Sequence, residues 1–153
     1  MRDGQGLTIT VSDDAAVSAY NRAVTEWLDY KITAMRTLKQ AIEIDPDFCI
    51  AHCFRGYLFV TFNSAAVLPA ATESLTKAAA LAGTASVREK RHVAALQHLL
   101  DGAPQKACAC WDAITADHPH DILALRMHHY TCFWSGYRQQ LSALPAAVLP
   151  AWD

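Results

Sequence analysis

Helix-breaking residues recur along this chain at short, nearly even intervals: Asp45-Pro46, Asn63-Ser64, Gly83, Gly102, His118-Pro119 and Gly136. Between them lie segments of about 13 to 16 residues whose apolar positions follow the helical period. Helices of four turns are marginal in isolation, so each must bury one face against another. The chain is therefore expected to be an all-α stack of short helices, about seven to eight in number. β-branched and aromatic alternation is nearly absent, and only Leu7 to Val11, reading LTITV, fits a short extended piece.

The first helix opens at Ser12, a plausible N-cap followed by Asp13 and Asp14, and ends near Tyr30. A second spans about Ile32 to Ile44, where proline disfavours helical backbone in its predecessor, and a third spans about Phe48 to Phe62. A fourth begins at or after Pro69 and ends at Gly83. Ser86 to Glu89 is a capping box that starts a fifth, which ends at Gly102. Pro104 opens a sixth, a seventh runs from about Asp121 to Trp134, and the two prolines of LPAAVLPAWD allow only a short eighth around Arg138 to Ala143.

Thirteen Lys and Arg against fifteen Asp and Glu leave a formal charge of −2 without a basic cluster, so no attraction to nucleic acid is expected. No apolar run approaches the roughly 18 to 20 residues of a membrane span. The N-terminus has no apolar signal core, and the five cysteines sit within helical patterns as reduced thiols, which suits a cytoplasmic protein.

Successive short helices call for a repeat test. The tetratricopeptide repeat is a 34-residue helix-turn-helix unit with small residues at the crossing, a large apolar residue beyond, and a closing proline. Ala34, Leu38, Ala41 and Pro46 have that spacing, and Ala107, Trp111, Ile114 and Pro119 reproduce it. The two prolines are 73 positions apart, five more than two repeats, which places an insertion in Asn63 to Pro69. The expected division is an N-terminal extension at 1–11, a repeat domain at 12–144 and a Pro-rich tail at 145–153. The repeats themselves fall at about 12–46, 47–85, 86–119 and an incomplete 120–144. The expected architecture is a right-handed superhelix of tetratricopeptide-like helix-turn-helix repeats.

A narrower pattern combines MRD at the start, DPDF-x-x-AH, VREKRHVAAL, G-x-P-x-K-A-x-x-x-W, HP-x-D-x-LAL and a G-Y-R-x-Q ending. Together these resemble the N-terminal part of the bacterial branch of the family named for tetratricopeptide repeat domain 38. Proteins of that family are typically more than twice as long, so the resemblance implies a fragment or shortened relative, with further repeats beyond Asp153. The family's name implies an interaction scaffold.

Repeat stacks bind partners on the concave face, lined by the first helix of each pair. Register assigns Tyr20, Cys53, Phe54, Tyr57, His92, Arg126, Met127 and Tyr130 to that face, together with Val93 and Leu96. An aromatic groove of this kind suits a peptide helix, an extended segment, or the chain's own C-terminal repeats. Chaperone-tail repeats grip a terminal carboxylate with a Lys and Asn pattern; the equivalent positions here carry Ala19, Cys53, His92 and Ala23, Tyr57, Leu96.

No nucleophile and base, phosphate loop or metal triad is recognisable, so an enzyme is not expected, nor a cofactor. Any chemistry would lie beyond residue 153. Cys49, His52 and Cys53 share one helical turn. Cys108 and Cys110, two residues apart on a helix, point about 200° away from each other, which argues against one shared metal ion. His118 with His120, and His128 with His129, read as turn and surface histidines. Self-association through the C-terminal helices, with Trp134 and Trp152, is expected of an apolar stack end.

Overall fold

The breakers do terminate helices. In the computed structural model, which describes residues 1–152, eight α-helices follow in order among the described residues. They are α1 (Asp14–Leu28), α2 (Ala34–Ile44), α3 (Cys49–Thr61), α4 (Leu68–Leu81), α5 (Val87–Leu100), α6 (Pro104–Asp117), α7 (Ile122–Ser135) and α8 (Arg138–Val148). Short 3-10 turns at Ala65–Val67 and Leu149–Ala151 complete the set. None of these helices is long and apolar enough to cross a membrane.

Capping follows local chemistry. Both halves of the Ser86/Glu89 box are made, at 3.2 and 2.8 Å. Gly136 ends α7 at φ 74, a left-handed backbone that glycine adopts without a Cβ penalty. Two expectations change. The cap of α1 is Asp13, whose Oδ1 accepts from the Ala15 and Ala16 amides, because the Ser12 amide and hydroxyl are both drawn to Asp45 Oδ2 at 2.7 Å. The Pro-rich tail begins as helix: α8 runs through Pro145 to Val148 because Leu144 and Val148 are buried. Asp153 lies outside the described residues.

Each helix packs along its neighbours in sequence, and α3 lies against α5 as well. Leu38, Ala41, Ala107, Trp111 and Ile114, which carry the matched spacing, are all fully buried. At the α3–α5 crossing a Cβ on Gly56 would fall 2.4 Å from Leu96 Cδ2, so any larger residue there must displace the buried Leu96 side chain. α3 is the hub, with nine of its 13 residues buried.

The LTITV piece forms no strand; Arg2 and Thr8 make an isolated bridge that folds residues 1–11 back on themselves. This strap is tied down by α5. Arg88 Nη2 donates to the Thr8 carbonyl at 3.1 Å and lies 3.7 Å from the Asp3 carboxylate. The Glu89 carboxylate accepts from the Thr10 amide and hydroxyl at 3.0 and 2.7 Å.

Beneath the strap a polar network runs through the core. Asp121 Oδ2 accepts from Arg88 Nη1 at 2.6 Å and from His92 Nε2 at 3.1 Å, while its Oδ1 caps α7 through the Ala124 amide. The Tyr57 hydroxyl donates to the His92 carbonyl at 2.9 Å and accepts from Trp111 Nε1 at 3.2 Å. Burial pushes the Asp121 carboxyl up, but His92, Arg88 and the Ala124 amide overcome it and hold the group well below the usual carboxylate range.

Candidate interaction groove

The structure corrects the assignment of the concave face. Tyr20, Cys53, Phe54, Tyr57, His92 and Met127 are buried at 2% exposure or less, inside this chain's own core. The physical reason is that α3 is enclosed on several sides. Tyr20 and Phe54 meet edge to face at 6.0 Å, and Tyr57 packs against both His92 and Trp111 at under 6 Å. Residues that face outward in an open stack are here the contact between helices. Arg126 and Tyr130 alone of the eight reach the surface in part, and both line one groove.

That groove, about 480 Å³, opens where the C-terminal ends of α1 and α3 meet the middle of α7. Its walls include Trp27, Tyr30, Ile32, Met35, Phe62, Arg126, Tyr130 and Phe133. Tyr30 is 87% exposed and Ile32 97%, with Phe62 and Phe133 also open to solvent. Large apolar side chains concentrated at one edge mark a contact surface more than an average exterior does.

Two side chains fix its chemistry. The Arg126 guanidinium lies over the Trp27 ring at 4.4 Å and over the Tyr30 ring at 4.5 Å, so both aromatic faces hold one cation. Among the described residues no carboxylate pairs with it, and burial pulls its pKa below the ordinary arginine value. Tyr130 donates to the Thr61 carbonyl at 3.0 Å and accepts from Asn63 Nδ2 at 2.9 Å, which clamps the end of α3 to α7.

Tyr30 occupies a costly backbone. The α1 terminus closes with the Lys31 amide on the Glu26 carbonyl at 2.8 Å, and Tyr30 sits in the left-handed position of that turn at φ 58. Glycine usually takes this place, and a side chain with Cβ costs roughly 1–2 kcal/mol there. Local strain of this kind gathers where a side chain is needed in a set place. The position holds the Tyr30 ring against Arg126.

Sequence reasoning missed Trp27, Tyr30, Ile32, Phe62 and Phe133 because register was read from helix centres, while the open surface forms at helix ends. A run of apolar residues inside a loop, Tyr30 and Ile32 flanking Lys31, was the available signal. A second cluster also escaped it: Cys108, His128 and Cys132 place three metal-ligating atoms within 4.8 Å of one another. Cys49 and His52 form no such group; Cys49 Sγ donates to the Ala78 carbonyl at 3.6 Å and His52 Nε2 contacts the Pro46 carbonyl at 2.8 Å. No protein-family model matches the chain, and no solved structure matches it.

Proposed function

We propose that this chain is a tetratricopeptide-like interaction module, related to the family named for repeat domain 38, which docks a segment of a partner protein in the groove at Arg126. The observation that carries this reading is the Arg126 guanidinium over the Trp27 and Tyr30 rings in the wall of an apolar groove, with no carboxylate paired to it among the described residues. A segment that fits has apolar or aromatic anchors beside one carboxylate. The anchors cover Ile32, Phe62 and Phe133, and the carboxylate takes the guanidinium as a charge-assisted, two-pronged acceptor. The consecutive packing of short helices and the two matched sets of core positions support the repeat architecture and its right-handed superhelix. The strained Tyr30 supports a role for its ring beyond stability.

Selection of displayed peptides on the purified chain tests this. Enriched sequences should pair an acidic residue with neighbouring apolar ones and bind by calorimetry. Arg126→Ala and Phe133→Glu should each weaken binding by at least tenfold while melting within about 3 °C of the parent. Tyr30→Gly should weaken binding yet melt no lower, because the backbone strain disappears with the ring. Peptides that bind all three variants as tightly as the parent would sink the proposal.

A further inference from the structure

We infer that Cys108, His128 and Cys132, with Asp112 at the mouth, form a binding site for a soft divalent cation of the zinc class. Cys108 and Asp112 stand four residues apart on α6, and His128 and Cys132 stand four apart on α7. Each pair therefore shares one helix face, and the two helices pack along each other. The Cys108 and Cys132 sulfurs are 3.7 Å apart. Cys132 Sγ lies 3.8 Å from His128 Nε2, which in turn lies 3.2 Å from Asp112 Oδ1.

The sulfur–sulfur and sulfur–nitrogen separations match edges of a tetrahedron around a metal. With metal–sulfur bonds of about 2.3 Å and metal–nitrogen or metal–oxygen bonds of about 2.0–2.2 Å, the ligand edges come to about 3.8 Å for sulfur to sulfur, about 3.6 Å for sulfur to nitrogen and about 3.4 Å for nitrogen to oxygen. Two thiolates and an imidazole prefer zinc over the hard cations magnesium and calcium. Cys108, His128 and Cys132 are buried, which keeps competing water out, whereas the Asp112 side chain is 55% exposed. A cleft between α6 and α8 is lined by Asp112, Thr115, Leu144 and Ala147. Cys110 is not a member: it lies two residues from Cys108 and faces away.

Binding is balanced by protons. Zinc replaces the thiol hydrogen of Cys108 and of Cys132, two protons leave to solvent, neutral His128 binds without exchange, and a water takes the fourth position. The ion then bolts α6 to α7. A cross-link made only in the native state raises the melting temperature by about 5–10 °C at a hundredfold excess over the dissociation constant.

The test uses the full chain, stripped with chelator under reducing conditions and titrated with zinc alone or cobalt(II) alone. One zinc per chain is expected, with the visible bands of tetrahedral thiolate-bound cobalt. Cys132→Ser should abolish those bands and Cys110→Ser should keep them. If a serine variant does not fold, X-ray absorption on the zinc-loaded parent decides, with two sulfur neighbours at about 2.3 Å and two lighter ones expected. Substoichiometric zinc, cobalt bands that survive Cys132→Ser, or fewer than two sulfurs would overturn the assignment.

Discussion

Asp121→Asn isolates the charge at the centre of the core. The Asp121 side chain is 1% exposed, and asparagine keeps its shape. The asparagine oxygen can still cap α7 through the Ala124 amide, now at 2.9 Å. Its NH2 group must then take the place of Oδ2, where Arg88 Nη1 and His92 Nε2 already point inward as donors. Donors meet donors, and the guanidinium is left buried with only the Thr8 carbonyl and the more distant Asp3 carboxylate. Breaking a buried pair in this way costs about 3–5 kcal/mol. At this chain length each kcal/mol moves the melting point by about 2–4 °C, so a fall of about 6–20 °C is expected by circular dichroism at pH 7. Because the folded carboxyl titrates below its unfolded value, the aspartate's advantage is complete above about pH 5 and fades only as pH falls below about 4. The gap between parent and variant should follow that course. A variant that melts within about 3 °C of the parent at pH 7 would refute the role given to this network.

Other outcomes follow from the same contacts. Tyr57→Phe leaves Trp111 Nε1 without its acceptor and should cost about 1–3 kcal/mol in urea unfolding, with the slope of the transition unchanged. Gly56→Leu drives a side chain into Leu96 and should prevent native packing, visible as loss of near-ultraviolet dichroism. Ser86→Ala removes half of the capping box and should cost about 1 kcal/mol. Acidification should destabilise the whole chain in two stages. Burial lowers the His52 and His128 pKa values, so the unfolded chain takes up protons first as pH drops through about 6.5. Glu89 and Asp45, desolvated but held low by Thr10 and Ser12, add their losses below about pH 4. Asp3, raised by burial, runs the opposite way and offsets a part of this second stage. Stability that rises steadily from pH 7 to pH 4 in chemical denaturation would contradict these assignments.

Helix order and the Ser86 box were legible in the sequence because each depends on residues within a turn or two of one another. Exposure was not. Tyr57 and His92 carry the pattern of a helix face, and the same pattern serves a groove or an inter-helix contact; only the proximity of Trp111, more than fifty positions away, decides between them. Ser12 and Asp13 competed for one cap, and Asp45 settled it from the far end of α2. The thiol and imidazole cluster was hidden because Cys108 meets His128 and Cys132 only through the packing of α6 against α7, 20 and 24 positions away. H-x3-C on α7 was the local part of it.

The strap at the N-terminus has a consequence in time. Thr8 and Thr10 find their partners 80 and 79 positions later, at Arg88 and Glu89 respectively, and Arg88 completes its own pairing only with Asp121. At about 5–20 residues per second of synthesis, the first segment off the ribosome waits on the order of 4 to 16 seconds for α5. Helix pairs such as α1 and α2 close far sooner than that. A nascent chain halted before residue 88 therefore holds this segment only by its early partners, Gly4 on Asn21 and Ser12 on Asp45, and lacks the anchors of Thr8 and Thr10.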